Sequence, residues 1–189
     1  MARKATYSRD RIIKAAVEVI EKYGKESYSV RNVANHLDSS TQPIYSFFSD
    51  SRELYRETLL EIKKQLLAHT TIEYSEYVFR NMGFGFTLFA RDYPNLFRAF
   101  FDDSDVNIQF VKEFLIDLRA ALDTDERFDR LSSVGKDLLL EKMWTFSFGY
   151  ANLIINGLVQ DTSDEAVKKM ILDVGTAVIK DALQRENLI

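Results

Sequence analysis

The sequence predicts an all-α protein of about nine helices, and three observations support this fold class. The 189 residues include only 2 Pro and 7 Gly, which are too few for many short strands joined by turns. Apolar residues recur three and four positions apart, which is the spacing of one helix face. The composition, with 46% hydrophobic residues and no Cys, suits a sizeable core without disulfides or thiolate sites and excludes disordered classes.

The first two helices carry start and stop signals. Ser8 is placed as the N-cap of a basic, amphipathic helix that Gly24 stops. Ser29 is placed as the N-cap of a second helix, which is about two turns long and ends at Asp38. Both N-caps carry a hydroxyl, which accepts a hydrogen bond from a first-turn amide that has no helical partner.

Two more helices follow at once. We expect Ser40 to cap a short third helix, in which Pro43 is tolerated because first-turn amides lack helical partners anyway. Asp50 with Glu53 forms a capping-box pattern that opens a longer fourth helix. Two short helices separated by about three residues, after a longer basic helix, match a helix-turn-helix.

The first turn of the third helix carries the best candidates for contact with DNA. This tip is polar and aromatic but uncharged, which suits hydrogen bonds to base edges and apolar contact with thymine methyl groups. A solvated surface is the alternative; it explains Ser46 well but not the exposed pair Tyr45 and Phe47. The candidate DNA-binding residues are Arg31, Ser40, Thr41, Gln42, Pro43, Tyr45, Ser46, Phe47 and Arg52.

Residues 29–48, which read SVRNVANHLDSSTQPIYSFF, carry a family resemblance together with Glu53-Leu54. The capped helix with Ala and Leu inside, the tight turn, the Ser-Thr pair, the Tyr and the later Glu-Leu resemble the DNA-binding region of the tetracycline-repressor (TetR) family. The likeness covers about residues 8–60. It implies a homodimer that binds double-stranded DNA at a palindromic operator, with Arg31 and Gln42-Pro43 at base-contact positions.

Two positions depart from that family pattern. Asp38 stands where the tight turn usually has Gly, and Asp tolerates the left-handed conformation at some cost. Ser51 stands where many members place a phosphate-contacting Lys, so the neighbouring Arg52 is the substitute that the sequence offers.

The charge distribution divides the chain into two parts. Residues 1–65 contain 12 Lys and Arg against 9 Asp and Glu, whereas residues 66–189 contain 13 against 20. The average of −4 therefore conceals a basic first part of +3 and an acidic, Phe-rich second part of −7. We expect the cluster from Arg3 to Lys14 to supply much of the salt dependence of DNA binding. A basic tail on a uniform helical protein is the alternative.

The apolar pattern of the remaining residues predicts five more helices. They are Tyr74–Arg91, Pro94–Phe101, Val106–Leu122, Ser133–Gln160 and Asp164–Arg185. The expected organisation is a helix-turn-helix domain at 1–50, a connecting helix at 51–70 and a ligand-binding and dimerisation domain at 71–189.

Aromatic residues of the second part are candidates for a pocket that binds a small apolar ligand. Trp144 is the best single candidate, because a buried indole N–H needs a partner. Phe89–Phe97 and Trp144–Gly149 resemble a TetR subgroup with a Trp-x-x-x-His-Gly motif, in which Phe148 here replaces His and makes the pocket more apolar. Simple core filling is the alternative for each residue. The candidate ligand-binding residues are Phe86, Phe89, Phe97, Phe101, Phe110, Phe114, Trp144 and Phe148.

The last two helices carry small residues beside large apolar ones, which permits close helix crossing. The resemblance implies that they form a four-helix bundle with those of a second subunit. An intrachain core is the alternative. The candidate dimer-interface residues are Ile154, Leu158, Met170, Val174 and Val178.

Several other function classes lack support. His36 and His69 lack metal-ligand spacing, Gly83-Phe84-Gly85 lacks the preceding strand and third Gly of a dinucleotide site, and no catalytic arrangement is readable. We expect no cofactor, no metal, no membrane segment and a cytoplasmic location, since the N-terminus lacks the apolar region of a signal peptide. The sequence therefore predicts a ligand-responsive transcriptional regulator, with repression released by ligand. An all-helical small-molecule-binding protein or enzyme without DNA binding is the alternative.

Overall fold

The computed structural model describes residues 7–189, and this part of the chain contains nine α-helices and no strand. The predicted all-α class is therefore confirmed. Short 3-10 turns at Lys25–Ser27 and Glu126–Phe128 complete the regular structure. The helices are α1 (Arg9–Tyr23), α2 (Val30–His36), α3 (Gln42–Tyr45), α4 (Ser51–Thr70), α5 (Val78–Asp92), α6 (Pro94–Phe100), α7 (Asp105–Leu122), α8 (Ser133–Ile155) and α9 (Asp164–Arg185).

The predicted signals of the first two helices are confirmed. The Ser8 hydroxyl accepts a hydrogen bond from the Arg11 amide at 3.2 Å, and the Ser29 hydroxyl accepts one from the Asn32 amide at 3.1 Å. Gly24 ends α1 at a φ of 83°, a value that is readily accessible only to Gly.

The expected Ser40 cap of the third helix is wrong. The helix begins at Gln42, the residue before it is Thr41, and no side chain caps this end. Thr41 has helical rather than extended dihedral angles, φ −74° and ψ −15°, so its hydroxyl is not placed for capping. Pro43 also removes one of the first-turn amides that a cap would satisfy.

The start of α4 is a capping box shifted by one residue. The Asp50 carboxylate accepts hydrogen bonds from the amides of Arg52 and Glu53, both at 2.8 Å, as an N-cap does. The Glu53 carboxylate reaches back to the Ser49 amide at 2.7 Å rather than to Asp50. The hydrogen bonds from the Ser49 amide and hydroxyl, together with that from Arg9, lower the pKa of Glu53.

Helix α5 begins four residues later than its apolar pattern predicts. The Asn81 side chain folds back onto Ser75, accepting from its amide at 2.8 Å and donating to its carbonyl at 2.8 Å. The buried Asp125 carboxylate accepts a hydrogen bond from the Phe79 amide at 3.1 Å and so satisfies the first turn from a distant part of the chain. Such long-range capping leaves no local sequence signal.

Helix α8 ends at Ile155, five residues before the predicted Gln160. Gly157 adopts a φ of 71° and its amide bonds the Ile154 carbonyl at 3.0 Å, while the Leu158 amide bonds the Leu153 carbonyl at 2.9 Å. These two bonds form a Schellman motif, which ends the helix although the uncharged pattern continues.

The described residues divide into two compact units, which differ from the expected domains. Unit 1 contains the described residues up to Gln65 together with Tyr93–Val111, and unit 2 contains Leu66–Asp92 with Lys112–Ile189. Residues 93–111 group with unit 1 because α6 packs against α1, where the Asn95 amide group donates to the Glu21 carbonyl at 2.9 Å.

Candidate DNA-binding surface and apolar cavity

The core of unit 1 holds α2 and α3 in place and thereby determines which of their side chains reach solvent. Val33 of α2, Ile44 of α3 and Phe48 are each at most 1% exposed and pack with apolar residues of α1 and α4. Because one face of each short helix is anchored in this core, the opposite face is held at the surface. The arrangement is the one that a helix-turn-helix needs.

The outward face of α3 and the residues just after it present the predicted aromatic residues. Tyr45 is 53% exposed and Phe47 is 39% exposed. Exposed aromatic side chains next to each other and beside polar groups are typical of a binding surface. Of the other candidates, Thr41 and Pro43 are half-buried, and the exposed ones are Arg31, Ser40, Gln42, Ser46 and Arg52.

Three of the candidates differ in whether their side chains already have partners. The Ser46 hydroxyl donates to the carbonyls of Gln42 and Pro43, at 3.1 and 2.9 Å, so it stabilises the end of α3. Within residues 7–189, the Arg31 and Arg52 side chains have no ion-pair partner and no side-chain hydrogen bond. Their guanidinium groups are therefore available to an external anion or base.

Asp38 makes the turn between α2 and α3 in the conformation that the sequence predicts. Its φ is 51°, in the left-handed region, and its amide bonds the Asn35 carbonyl at 3.1 Å. The Ser39 amide bonds the Ala34 carbonyl at 2.9 Å and completes a Schellman motif. The expectation that Asp replaces Gly in this turn is thus confirmed.

Replacing Asp38 should reveal this backbone strain. We expect Asp38→Gly to raise the free energy of unfolding by about 0.5–1 kcal/mol, because Gly adopts positive φ without a Cβ penalty. Asp38→Ala should lower it by about 1 kcal/mol, since Ala lacks both the freedom of Gly and the local hydrogen bonding of Asp. Urea denaturation of the three proteins measures the order, and an Ala variant as stable as the Gly variant would contradict it.

The basic N-terminal cluster is less available to DNA than its charge suggests. Arg3 and Lys4 lie outside the described residues. Arg9 pairs with Glu53 and Glu57, at 3.0 Å each, and Lys14 lies 3.9 Å from Glu18. Nearby carboxylates therefore offset two of the cations that were expected to attract phosphates.

Tyr28 is a residue of this region that the sequence did not single out. Its hydroxyl donates to the Ser51 carbonyl at 3.1 Å and its ring lies 5.0 Å from that of Tyr55. Burial raises the pKa of Tyr28, so the hydroxyl stays protonated and able to donate. Tyr28 thereby holds the start of α4, which carries Arg52.

Four of the predicted ligand-binding residues meet in unit 2. The Trp144 ring lies 5.1 Å from that of Phe86, 6.0 Å from that of Phe114 and 5.5 Å from that of Phe148. Phe86 and Trp144 line a cavity of about 30 Å³, room for one or two water molecules, whereas Phe114 and Phe148 only pack against Trp144. The cavity is lined by Phe79, Met82, Gly83, Phe86, Leu118, Leu140, Met143, Trp144 and Ser147.

The other four predicted ligand-binding residues lie elsewhere. Phe97, Phe101 and Phe110 belong to unit 1, where the rings of Phe97 and Phe101 are 4.6 Å apart. Phe89 is fully buried in unit 2 beside His69, at 5.1 Å between ring centroids. None of the four lines the cavity at Trp144.

Ser147 is the polar residue of the cavity wall that sequence reasoning missed. Its hydroxyl oxygen is buried and has no hydrogen-bond partner among residues 7–189. Such an unsatisfied group costs roughly 1–3 kcal/mol, which makes it a natural recognition point for a polar atom on an otherwise apolar molecule.

The glycines of Gly83-Phe84-Gly85 serve helix packing. A Cβ on Gly85 would lie 1.9 Å from the His69 carbonyl oxygen, and one on Gly83 would lie 2.8 Å from Ile171. Both glycines therefore permit close approach within unit 2, in a helix with no preceding strand. Helix packing therefore explains why both positions are Gly, and a nucleotide-binding role is not needed.

The predicted dimer residues fall into two groups. Ile154 and Val178 pack in the core of unit 2, and Val174 is half-buried. Leu158 is 70% exposed and Met170 is 43% exposed. Both line a surface groove of about 1170 Å³ between α8 and α9, together with Leu153, Phe146 and Tyr150.

Among residues 7–189, no helix combines the length and the apolar character that crossing a membrane requires. The same residues contain no group of three His, Asp or Glu side chains that could hold a metal ion.

Solved structures show where this fold occurs. A TetR-family transcriptional regulator from Streptomyces coelicolor matches with a TM-score of 0.73 and 14% identity, over 95% of this chain and 84% of that one. A transcriptional regulator from Rhodococcus sp. RHA1 matches with a TM-score of 0.67 and 20% identity, over 94% and 97%. A TetR-like transcriptional regulator from the same organism matches with a TM-score of 0.61 and 14% identity, over 94% of this chain and 99% of that one.

No protein-family model and no curated protein sequence matches the chain. The structural likeness extends over both units, well beyond the residues that carry the sequence resemblance. The chain therefore adopts the fold of the TetR-family transcriptional regulators.

Proposed function

We propose that the protein is a ligand-responsive, DNA-binding transcriptional repressor that acts as a homodimer on a palindromic operator. The observation that carries the proposal is the outward face of α3, where Gln42 and Tyr45 are exposed on a helix anchored by Ile44, together with the exposed Phe47 just after it. Several solved structures with this fold are described as transcriptional regulators, which supports a DNA-binding role.

Each residue of this surface has a role that its chemistry suits. Gln42, at the first position of α3, matches the donor–acceptor pattern of adenine in the major groove. Arg31 is suited to guanine or to phosphate, and Arg52 to phosphate. Tyr45 and Phe47 are suited to apolar contact with thymine methyl groups, and the Tyr45 hydroxyl is suited to donate to a phosphate oxygen. Ser40, Thr41, Pro43 and Ser46 complete the proposed contact surface.

A mobility-shift titration with DNA from upstream of the protein's own coding sequence tests this function. We expect salt-sensitive binding at one palindromic site, which a competing duplex of scrambled sequence does not displace. Absence of sequence-specific binding to such fragments would sink the proposal.

The proposed homodimer rests on the groove between α8 and α9. A Leu that is 70% exposed beside an exposed Met is unusual on a surface that stays in water, and these side chains adjoin the exposed Leu153. A homodimer that reads a palindrome presents two α3 helices about 34 Å apart, one turn of DNA.

The proposed ligand is a small apolar molecule bound among Phe86, Phe114, Trp144 and Phe148. A cavity of about 30 Å³ is far smaller than the roughly 300–1,000 Å³ of ligand pockets, so binding requires the surrounding side chains to move. A ligand that stabilises this expanded state at the expense of the DNA-binding one would release the operator, and the two affinities would oppose each other reciprocally. Trp144 is the only Trp of the chain, so its fluorescence reports on this cavity alone.

Ser147 provides a test of the cavity wall. We expect Ser147→Ala to raise the free energy of unfolding by about 1 kcal/mol, because it removes an unsatisfied buried hydroxyl. Urea denaturation measures this, with Thr176→Ala as the matched control, an exposed Thr whose hydroxyl bonds within α9. A Ser147→Ala protein less stable than wild type would show that the hydroxyl has a partner.

A further inference from the structure

Arg9 connects three parts of the helix-turn-helix unit through one side chain. Its Nη1 donates to the Phe47 carbonyl at 2.8 Å, just after α3 ends. Its Nη2 donates to the carboxylates of Glu53 and Glu57, one turn apart on α4, at 3.0 Å each. The guanidinium also lies 4.5 Å from the centroid of the Phe48 ring, which is buried in the core.

We propose that Arg9 is a positioning residue for DNA recognition, which sets the orientation of α3 through the Phe47 carbonyl and does not itself contact phosphate. This inference rests on the proposed DNA-binding function and deepens it. It assigns to Arg9 a role different from the electrostatic one that its charge and its place near the N-terminus indicate.

Helix α3 needs such an external support because it is only four residues long. A helix of this length is not stable on its own, so tertiary contacts decide its direction. The buried Ile44 anchors its middle. Arg9 anchors its end, where carbonyl groups lack helical partners.

The contact between Arg9 and the Phe47 carbonyl is reinforced by Glu53, which bonds Ser49 on the other side of Phe48 in the chain. Glu53 accepts hydrogen bonds from the amide and hydroxyl of Ser49, at 2.7 and 2.9 Å, while its other oxygen accepts from Arg9. Phe47 and Ser49 flank the buried Phe48, so Arg9 and Glu53 hold both neighbours of this core residue. The connection between α3 and α4 is thereby fixed at both ends.

The local charge argues against a direct phosphate contact. One guanidinium faces two carboxylates, so the group formed by Arg9, Glu53 and Glu57 has a net charge of −1. An anion approaching Arg9 would also approach both glutamates. By contrast, Arg52 is exposed and has no carboxylate partner among residues 7–189.

The two roles predict different dependences on salt. A residue that contacts phosphate contributes about 0.9 to the slope of log affinity against log salt concentration, so its removal lowers that slope. A positioning residue leaves the slope unchanged and lowers specific affinity more than non-specific affinity, because misorientation spoils base contacts first.

The test compares Arg9→Ala and Arg9→Lys with wild type by titrating a fluorescent operator duplex and a scrambled duplex at several salt concentrations. We expect Arg9→Ala to lose about tenfold or more in specific affinity with an unchanged slope. Arg9→Lys should recover only part of this loss, since an ammonium lacks the planar fork that bonds Phe47 and both glutamates at once. Lys64→Ala is the charge-matched control, another cation beside a glutamate in unit 1, and should change neither quantity. Arg52→Ala is the comparison that should lower the slope.

Wild-type specific affinity in Arg9→Ala, or a slope lowered by about 0.9, would overturn the inference. Glu57→Gln keeps the Phe47 and Glu53 contacts and provides a milder variant if Arg9→Ala unfolds. Hydrogen exchange of residues 42–48 without DNA gives an independent readout: it should be faster in Arg9→Ala, and unchanged exchange would count against positioning. Failure of the wild-type protein to bind any operator would refute the proposed function, whereas the exchange result would still decide what Arg9 does.

Discussion

Replacing Gln42 and Tyr45 together by Ala is expected to weaken operator binding about 100-fold or more while leaving the fold intact. Good contacts to bases are worth about 1–3 kcal/mol each, and a loss of about 3 kcal/mol corresponds to roughly two orders of magnitude in Kd. Both side chains are exposed, so their removal creates no cavity in the core. Fluorescence anisotropy with the operator duplex measures the affinity, and circular dichroism checks the fold.

The matched control is Tyr23→Ala. Tyr23 is 55% exposed and lies at the end of α1. Its substitution by Ala therefore removes the same aromatic group as Tyr45→Ala does, but from another surface of unit 1. We expect its operator affinity to equal that of wild type. Wild-type affinity in the Gln42→Ala, Tyr45→Ala protein would show that the outward face of α3 does not read DNA.

Changing Leu158 and Met170 together to Glu is expected to convert the proposed homodimer into a monomer. Two-fold symmetry places each substitution at the interface twice, so the dimer would have to bury four unpaired carboxylates. Burying an unpaired charge costs several kcal/mol, which exceeds what a dimer of ordinary size can absorb. Sedimentation equilibrium measures the mass of the protein in solution. The variant should also bind the palindrome weakly, since a monomer engages only one half-site.

Ile116→Glu provides the control for this change. Ile116 lies on α7 and is 67% exposed, close to the 70% of Leu158, so the same substitution alters a comparable apolar surface elsewhere in unit 2. We expect Ile116→Glu to remain dimeric. A dimeric Leu158→Glu, Met170→Glu protein would place the subunit contact on another face.

The sequence predicted those features that short-range chemistry determines. The caps at Ser8, Ser29 and Asp50 could be identified because each acts on amides two or three residues away. The left-handed turn at Asp38 could be predicted because the similar family usually has Gly at this position, and Asp tolerates positive φ. The all-α class followed from the periodicity of the apolar residues.

Features that depend on long-range contacts could not be predicted. The first turn of α5 is completed by Asp125, which is 46 residues away from its partner Phe79. Arg9 was counted as an available cation because its glutamate partners lie 44 and 48 residues further along the chain. The aromatic residues were grouped as one candidate pocket, but composition does not show that Phe86 and Trp144 meet in unit 2 while Phe97 packs in unit 1. The end of α8 differs from these cases. Gly157 is a local stop signal in the sequence, but the uncharged run that continues to Gln160 led to a longer predicted helix.

The most direct test is a titration of the full chain against a duplex carrying a palindrome from upstream of its coding sequence, beside a scrambled duplex of equal composition. We predict two subunits per duplex, an affinity at least 10³-fold higher for the palindrome, and a steep loss of affinity as salt concentration rises. Equal affinity for the two duplexes, or no binding to either, would contradict the proposal that this protein is a DNA-binding regulator.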